Sequence, residues 1–211
     1  MIHKNEFVLE PVFWKELDRD TVESLMGTEV ANMVGFDQRN PYHCYDLFTH
    51  TLITMEDCGN FISKTAAFFH DIGKPHVATE KDGRLVFYNH SLYSAIFAKD
   101  IMEKMGFEEF EIDHIVFLIR HHDDFINLND TEEAVNKYLR RIINKNKDFF
   151  NNHSIDWVMH NLLSLCIADA KAQAETVTIK GEVINYRKEK INKLLRLRNL
   201  IMKALQEGMD Y

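Results

Sequence analysis

The chain has 211 residues, 45% hydrophobic and 27% charged, with eight Gly, three Pro and a formal net charge of -8. That length can bury a full core without staples, and the scarcity of Gly and Pro excludes the many tight turns of an all-β fold and favours helices. The negative balance excludes a chain held mainly by nonspecific attraction to nucleic-acid phosphate, but not a local basic pocket for one phosphate.

Residues 1–12 read as a lead-in. Phe13 to Met26 reads as one amphipathic helix, with Phe13, Leu17 and Leu25 among its apolar positions. Gly27 and Gly35 punctuate the stretch after it. His43 to Asp57 reads as a second helix, and Phe61 to His70 as a third, strongly apolar one. Gly73 and Pro75 stop it, because Pro cannot continue the hydrogen-bond ladder. Between Pro75 and His90 the period changes. Asp82-Gly83 is a turn signal before the β-prone Leu85-Val86-Phe87-Tyr88, so a loop or small β-ribbon is expected at about 75–89. Helices resume from about Ser91 to Met105, with Gly106 just past the end, and from about Glu109 to His122. Asp130-Thr131-Glu132-Glu133 is a capping signature that opens a helix to about Ile143. Ser154 to about Glu175 is the next helix, and Glu182 to Glu207 the last. The expectation is an all-α fold in one domain over 1–211, with a core at about 36–175 and a C-terminal helical extension at about 178–208.

Cys44, Cys58 and Cys166 are odd in number and show no CxxC spacing, which fits reduced thiols. No signal-peptide h-region or membrane-length apolar stretch is evident, so a cytoplasmic location is expected.

The informative stretch is HDIGK at 70–74, directly after Ala66-Ala67-Phe68-Phe69. It places an imidazole, a carboxylate and an ammonium at the end of a helix that reads as buried. Buried charge is tolerated when it is paired or bound to a metal. Other groups can join that site. His43, Asp46 and His50 are spaced i, i+3 and i+7, one face of a helix. His90 follows the loop, His121 and His122 end an apolar helix, and Asp169 is a carboxylate within an apolar stretch. His3, His76, His114, His153 and His160 read as ordinary core or surface histidines. A mixed imidazole and carboxylate set suits Mn, Fe, Co, Ni or Zn, and carboxylate alone can hold Mg. The absence of thiolates argues against a structural zinc site. Such an open site lowers the pKa of a bound water and makes a nucleophile.

In chain order, His50, His70-Asp71, His90, His121-His122 and Asp169 resemble the HD superfamily of metal-dependent phosphohydrolases. The stretches HCYDLFTHTL, AAFFHDIGKP, FYNHSLYSA and LIRHHDDF are similar to the HD domain of bacterial tRNA nucleotidyltransferases, over about residues 36–175. No transferase head is read before His43, so a stand-alone HD protein is expected and tRNA recognition is not carried over. The resemblance implies an HD-domain helical bundle that binds one or two divalent metal ions. His50, His70, Asp71 and Asp169 match the ligands of the first, and Asp71 would bridge to a second completed by His90, His121 and His122. In members with one metal, those histidines face the substrate phosphate. Lys74 matches the lysine near that phosphate, with a solvated lysine as the alternative. Asp71 and Lys74 are the expected catalytic groups, and Lys74, His43 and Arg120 the candidate substrate-binding residues. Asp46 reads as a group orienting a ligand imidazole, or as a cap. The implied activity is hydrolysis of a phosphoester of a nucleotide or related small molecule by a metal-activated water, with an RNA end as a further substrate and no membrane partner. The alternative is a regulatory HD module that binds metal and nucleotide without turnover.

Overall fold

The computed structural model describes residues 1–207. Its helices are α1 (Pro11–Lys15), α2 (Arg19–Met26), α3 (Thr28–Ala31), α4 (Leu47–Glu56), α5 (Phe61–Phe69), α6 (Lys74–Val77), α7 (His90–Met105), α8 (Glu109–His121), α9 (Glu132–Lys145), α10 (Lys147–Asn152), α11 (Ile155–Lys171) and α12 (Tyr186–Gln206). A 3-10 turn, Lys4–Glu6, precedes them. Two antiparallel hairpins complete the fold: β1 (Thr79–Lys81) with β2 (Arg84–Val86), and β3 (Val177–Ile179) with β4 (Glu182–Ile184). The fold is all-α, a helical bundle. Residues 208–211, the end of the expected single domain, lie outside the described residues.

The centre of the bundle is α5. Its Ala66, Ala67, Phe68 and Phe69 are all fully buried, because α4, α8 and α11 pack around it. A helix apolar all round belongs inside a core. α7 covers α8, and α12 closes the far side by packing on α11 and α9. The seam of α12 is Leu194, Leu197, Ile201 and Ala204, all buried.

Several boundaries differ from the sequence expectation, and caps explain most of them. The helix expected from Phe13 to Met26 is two helices, because the Asp18 carboxylate accepts the Thr21 N–H at 2.8 Å and starts α2 afresh. The helix expected from His43 begins only at Leu47. There the Asp46 side chain accepts the N–H groups of Phe48 and Thr49 at 3.1 and 3.2 Å, so Asp46 is a cap. His43 and Asp46 therefore do not share a helical face with His50. Pro75 opens α6 in its first turn, where the missing N–H costs nothing. Thr131 caps α9 through Ala134 N–H, as the Asp130–Glu133 signature implies. α10 was not expected.

The ribbon expected near 75–89 is present, with Thr79 opposite Val86 and Lys81 opposite Arg84. Asp82 and Gly83 both take positive φ, as a two-residue hairpin turn requires. The second hairpin was not expected. It uses Lys180 (φ 52°) and Gly181 (φ 86°) in the same way, and it takes residues 182–184 away from the last helix.

Candidate metal centre

Five helix ends deliver the polar residues to one point. His50 sits one turn into α4, and His70 and Asp71 leave the C-terminus of α5. His90 is the first residue of α7, set by Asn89 at φ 62°; His122 caps the end of α8; and Asp169 lies in the last turn of α11. Gly73 allows this convergence for a reason other than turn geometry. Its φ is -77°, open to any residue. A Cβ there would lie 2.7 Å from both His90 O and Ser94 N, so only glycine lets the HDIGK turn press against α7. Gly73 N–H donates to Ser94 Oγ at 2.9 Å and fixes that contact.

Each of the four central imidazoles has its Nδ1 against a backbone carbonyl. His50 faces Ala172 O at 3.3 Å, His70 faces Ala67 O at 2.7 Å, His90 faces Phe87 O at 2.9 Å and His122 faces Ile119 O at 2.7 Å. A carbonyl only accepts, so each Nδ1 carries the proton, and in a neutral ring Nε2 is left as a lone pair. Those lone pairs point at carboxylate oxygens. His50 Nε2 is 3.1 Å from Asp169 Oδ1 and 3.7 Å from Asp71 Oδ2. His70 Nε2 is 3.2 Å from Asp71 Oδ2 and 3.9 Å from Asp169 Oδ1. On the other side, Asp71 Oδ1 is 3.1 Å from His90 Nε2 and 3.7 Å from His122 Nε2. Asp123 approaches the same two rings at 3.3 and 3.7 Å, and the two Nε2 atoms are 3.2 Å apart.

Acceptors facing acceptors repel unless a cation lies between them. Among the described residues, His50 Nε2, His70 Nε2 and Asp71 Oδ1 are buried without a hydrogen-bond partner, a costly arrangement that metal coordination resolves. Three sets of donor atoms fall within ion-sized spacing: His50, His70 and Asp169; His70, Asp71 and His122; and His90, His122 and Asp123. The donor chemistry, imidazole with carboxylate and no thiolate, fits divalent metal ions. The carbonyl partners fix each ring's tautomer and direction, as at metal-binding histidines.

The surrounding charges favour anionic carboxylates. Burial pushes the Asp71 carboxyl up, but His70 and Lys74 outweigh it and hold it well below the usual range. Burial likewise opposes ionisation of Asp169, and Lys190 and His50 reverse this. Burial pulls His122 down, but Asp123 and Asp71 push it up to about 9, so that a proton on its Nε2 stands where a cation would otherwise meet the lone pair. His70 is lowered, chiefly by burial.

Lys74 is buried and not a solvated lysine. Its ammonium forms an ion pair with Asp71 Oδ2 at 2.7 Å, donates to Gln38 Oε1 at 3.0 Å, and lies 5.4 Å from the Phe87 ring centre. His43 is near the site although it is not on α4. Its ring lies 5.1 Å from that of His50, edge-on, and burial with the nearby Lys74 pushes it down to about 2.

Two expected residues are not brought in. His121 turns the other way, its Nδ1 3.0 Å from Asp124 Oδ2 and its ring against Phe117. Arg120 is exposed and does not line the cleft. Asp123 takes the place expected for His121. Gln173 and Lys190 were also not anticipated: Gln173 Nε2 reaches Asp169 Oδ1 at 3.2 Å, and the Lys190 ammonium donates to Asp169 Oδ2 at 3.0 Å. Asp123 sits in the sequence run HHDD, where the neighbouring acid looks like a surface residue.

The centre forms the floor of a cleft of about 1050 Å³. Its walls include Tyr42, Phe87, Tyr88, Phe125, Ile179 and Ile184 of the second hairpin, and α12. Among the described residues no helix is long and apolar enough to cross a membrane.

No curated protein matches the chain. The family model described as HD domain matches residues 43–170, from the histidine that begins the quoted HCYDLFTHTL stretch to the residue after Asp169. The matched span holds every imidazole and carboxylate of the centre and more than half of the chain, so the chain belongs to the HD domain family of metal-dependent phosphohydrolases.

Proposed function

We propose that the protein hydrolyses a phosphoester of a nucleotide or related small molecule at a centre that holds two divalent metal ions. The observation that carries this reading is the set of four imidazoles, each locked by a backbone carbonyl, whose Nε2 atoms face the carboxylates of Asp71, Asp169 and Asp123. His50, His70 and Asp169 with Asp71 Oδ2 would hold one ion. His90, His122 and Asp123 with Asp71 Oδ1 would hold the other. When bound, the ions supply Lewis acidity towards phosphoryl oxygens and acidify a water at neutral pH.

The chain's own groups do the rest. Asp71 divides its two oxygens between the two clusters and so fixes their spacing. Lys74 presents a desolvated ammonium next to Asp71, where it stabilises charge that develops on a phosphoryl oxygen. Its pairing with Gln38 and the Phe87 face keeps it in place. His43 faces the cleft as a neutral ring and orients a substrate oxygen. The nucleotide assignment rests on the size of the cleft and on aromatic walls such as the Tyr42 and Tyr186 rings, whose centres lie 4.7 Å apart. The likeness to the HD domain of tRNA nucleotidyltransferases adds an RNA end to the substrate classes to be tried.

The test is metal-dependent phosphate release. Chelated protein is assayed with Mn, Co, Ni, Mg and Zn on phosphomonoesters, cyclic nucleotides and nucleotides, with Asp71→Ala as control. Turnover that requires metal and is lost in the variant is expected. Metal binding without turnover on any substrate would favour the regulatory module, and turnover that survives Asp71→Ala would place the site elsewhere.

A further inference from the structure

Lys190 lies on α12, beyond the matched span of 43–170. Its ammonium is nevertheless part of the floor of the cleft, 3.0 Å from Asp169 Oδ2 and 2.9 Å from Gln173 Oε1. The oxygen that it takes, Oδ2, is not the one nearest His50, which is Oδ1. Lys190 therefore binds Asp169 without standing where an ion would sit. An ammonium has three donors, and these two contacts leave one free. The side chain is 16% exposed, and that exposure is to the cleft.

The helix that carries Lys190 is fixed across the site. The Arg187 guanidinium donates to Gln173 O, Lys193 donates to Ile126 O at 2.8 Å, and Arg196 pairs with Asp130. These bonds tie α12 to the end of α11 and to the loop after His122. The ammonium is thus preorganised and need not be ordered by a ligand.

We infer that Lys190 is a second substrate-binding cation, which donates to a phosphoryl oxygen from the Asp169 side of the centre while Lys74 acts from the Asp71 side. This rests on the proposed phosphohydrolase reading and adds to it a residue outside the matched domain. Two desolvated cations flanking paired carboxylates suit a dianionic phosphate better than a neutral or monoanionic ligand.

Inorganic phosphate is the probe, and binding to the Mn²⁺-loaded full chain is measured by calorimetry, alongside Mn²⁺ binding itself. Lys190→Gln retains hydrogen-bond capacity towards Asp169 and removes the charge; Lys190→Arg retains the charge; and Lys203→Met removes an α12 cation that pairs with Glu132, away from the centre. We expect Lys190→Gln to weaken phosphate binding by about tenfold or more while Mn²⁺ affinity stays within about threefold. Lys190→Arg should recover most of the loss, and Lys203→Met should change neither affinity. Unchanged phosphate affinity in Lys190→Gln would overturn the assignment. Mn²⁺ affinity falling in step with phosphate affinity would also overturn it, making Lys190 a positioning residue for Asp169. A wild-type chain that binds no Mn²⁺ would instead remove the metal reading on which both rest.

Discussion

Asp123 shows how much one side chain decides. It is half-exposed at the rim, and it gives the second cluster a carboxylate that His90 and His122 lack between themselves apart from Asp71. A ligand contributes at least as much as the groups that orient ligands, whose loss costs about 10- to 100-fold in metal affinity. Asp123→Ala should therefore leave one tight Mn²⁺ site and weaken the other by about tenfold or more, read by calorimetric stoichiometry. His121→Ala should leave both sites intact, because its ring faces Asp124 and Phe117. Two undisturbed sites in Asp123→Ala would remove it from the ligand set. The choice between neighbouring histidines was not legible in the sequence. Successive helical residues point about 100° apart, so the doublet His121-His122 offers two directions, and only the packing of α8 selects His122. The His70-Asp71 doublet was easier to read because both residues follow an all-apolar run. Gln173 and Lys190 could not be read, since their proximity to Asp169 depends on how α12 folds back.

At the scale of the element, α8 carries a second buried histidine with a different fate. His114 is fully buried against Trp157, and neither ring nitrogen has a hydrogen-bond partner among the described residues. Burial, with some help from His153, pushes it down to about 4. The unfolded chain, with an ordinary histidine near 6.5, takes up the proton first as pH falls. The neutral-ring contribution to stability is therefore full above about pH 6.5 and is lost as pH falls towards about 4, a change of roughly 3 kcal/mol. His114→Phe keeps the ring and removes the titration, so denaturant melts at pH 7.5 and 5 should differ less than in wild type. An unaltered pH dependence would mean that other groups set it. The element pattern itself was largely legible: apolar period located the helical regions from α4 to α12 except for short α6 and α10, and Asp82-Gly83 located the first hairpin. The failures are local contests. Asp18 and Asp46 chose to cap rather than to continue a helix, and Lys180 entered a positive-φ turn for which lysine gives no signal.

At the scale of the whole molecule, the centre is also where the fold is held together. Its ligand atoms come from residues 50 to 169, on α4, the turn after α5, α7, the end of α8 and α11, and apart from the neighbours His70-Asp71 and His122-Asp123 they lie far apart along an unfolded chain. An ion bound there selects the folded state, because only folding assembles the set. Linkage gives the size: a ligand at about 100 times its Kd stabilises by about 2.7 kcal/mol per site. For a chain of this length each kcal/mol moves Tm by about 2–4 °C, so saturating Mn²⁺ should raise Tm by about 5–10 °C per site, and EDTA should reverse it. In Asp71→Ala both clusters lose a shared ligand, so the Mn²⁺-dependent rise should nearly vanish, whereas Asp123→Ala should keep the part due to the first site. The difference between the two variants is what separates a pair of linked sites from a single ion. A rise of equal size in all three proteins would mean that Mn²⁺ stabilises the fold elsewhere, since among the described residues Asp71 is the one carboxylate that faces both clusters.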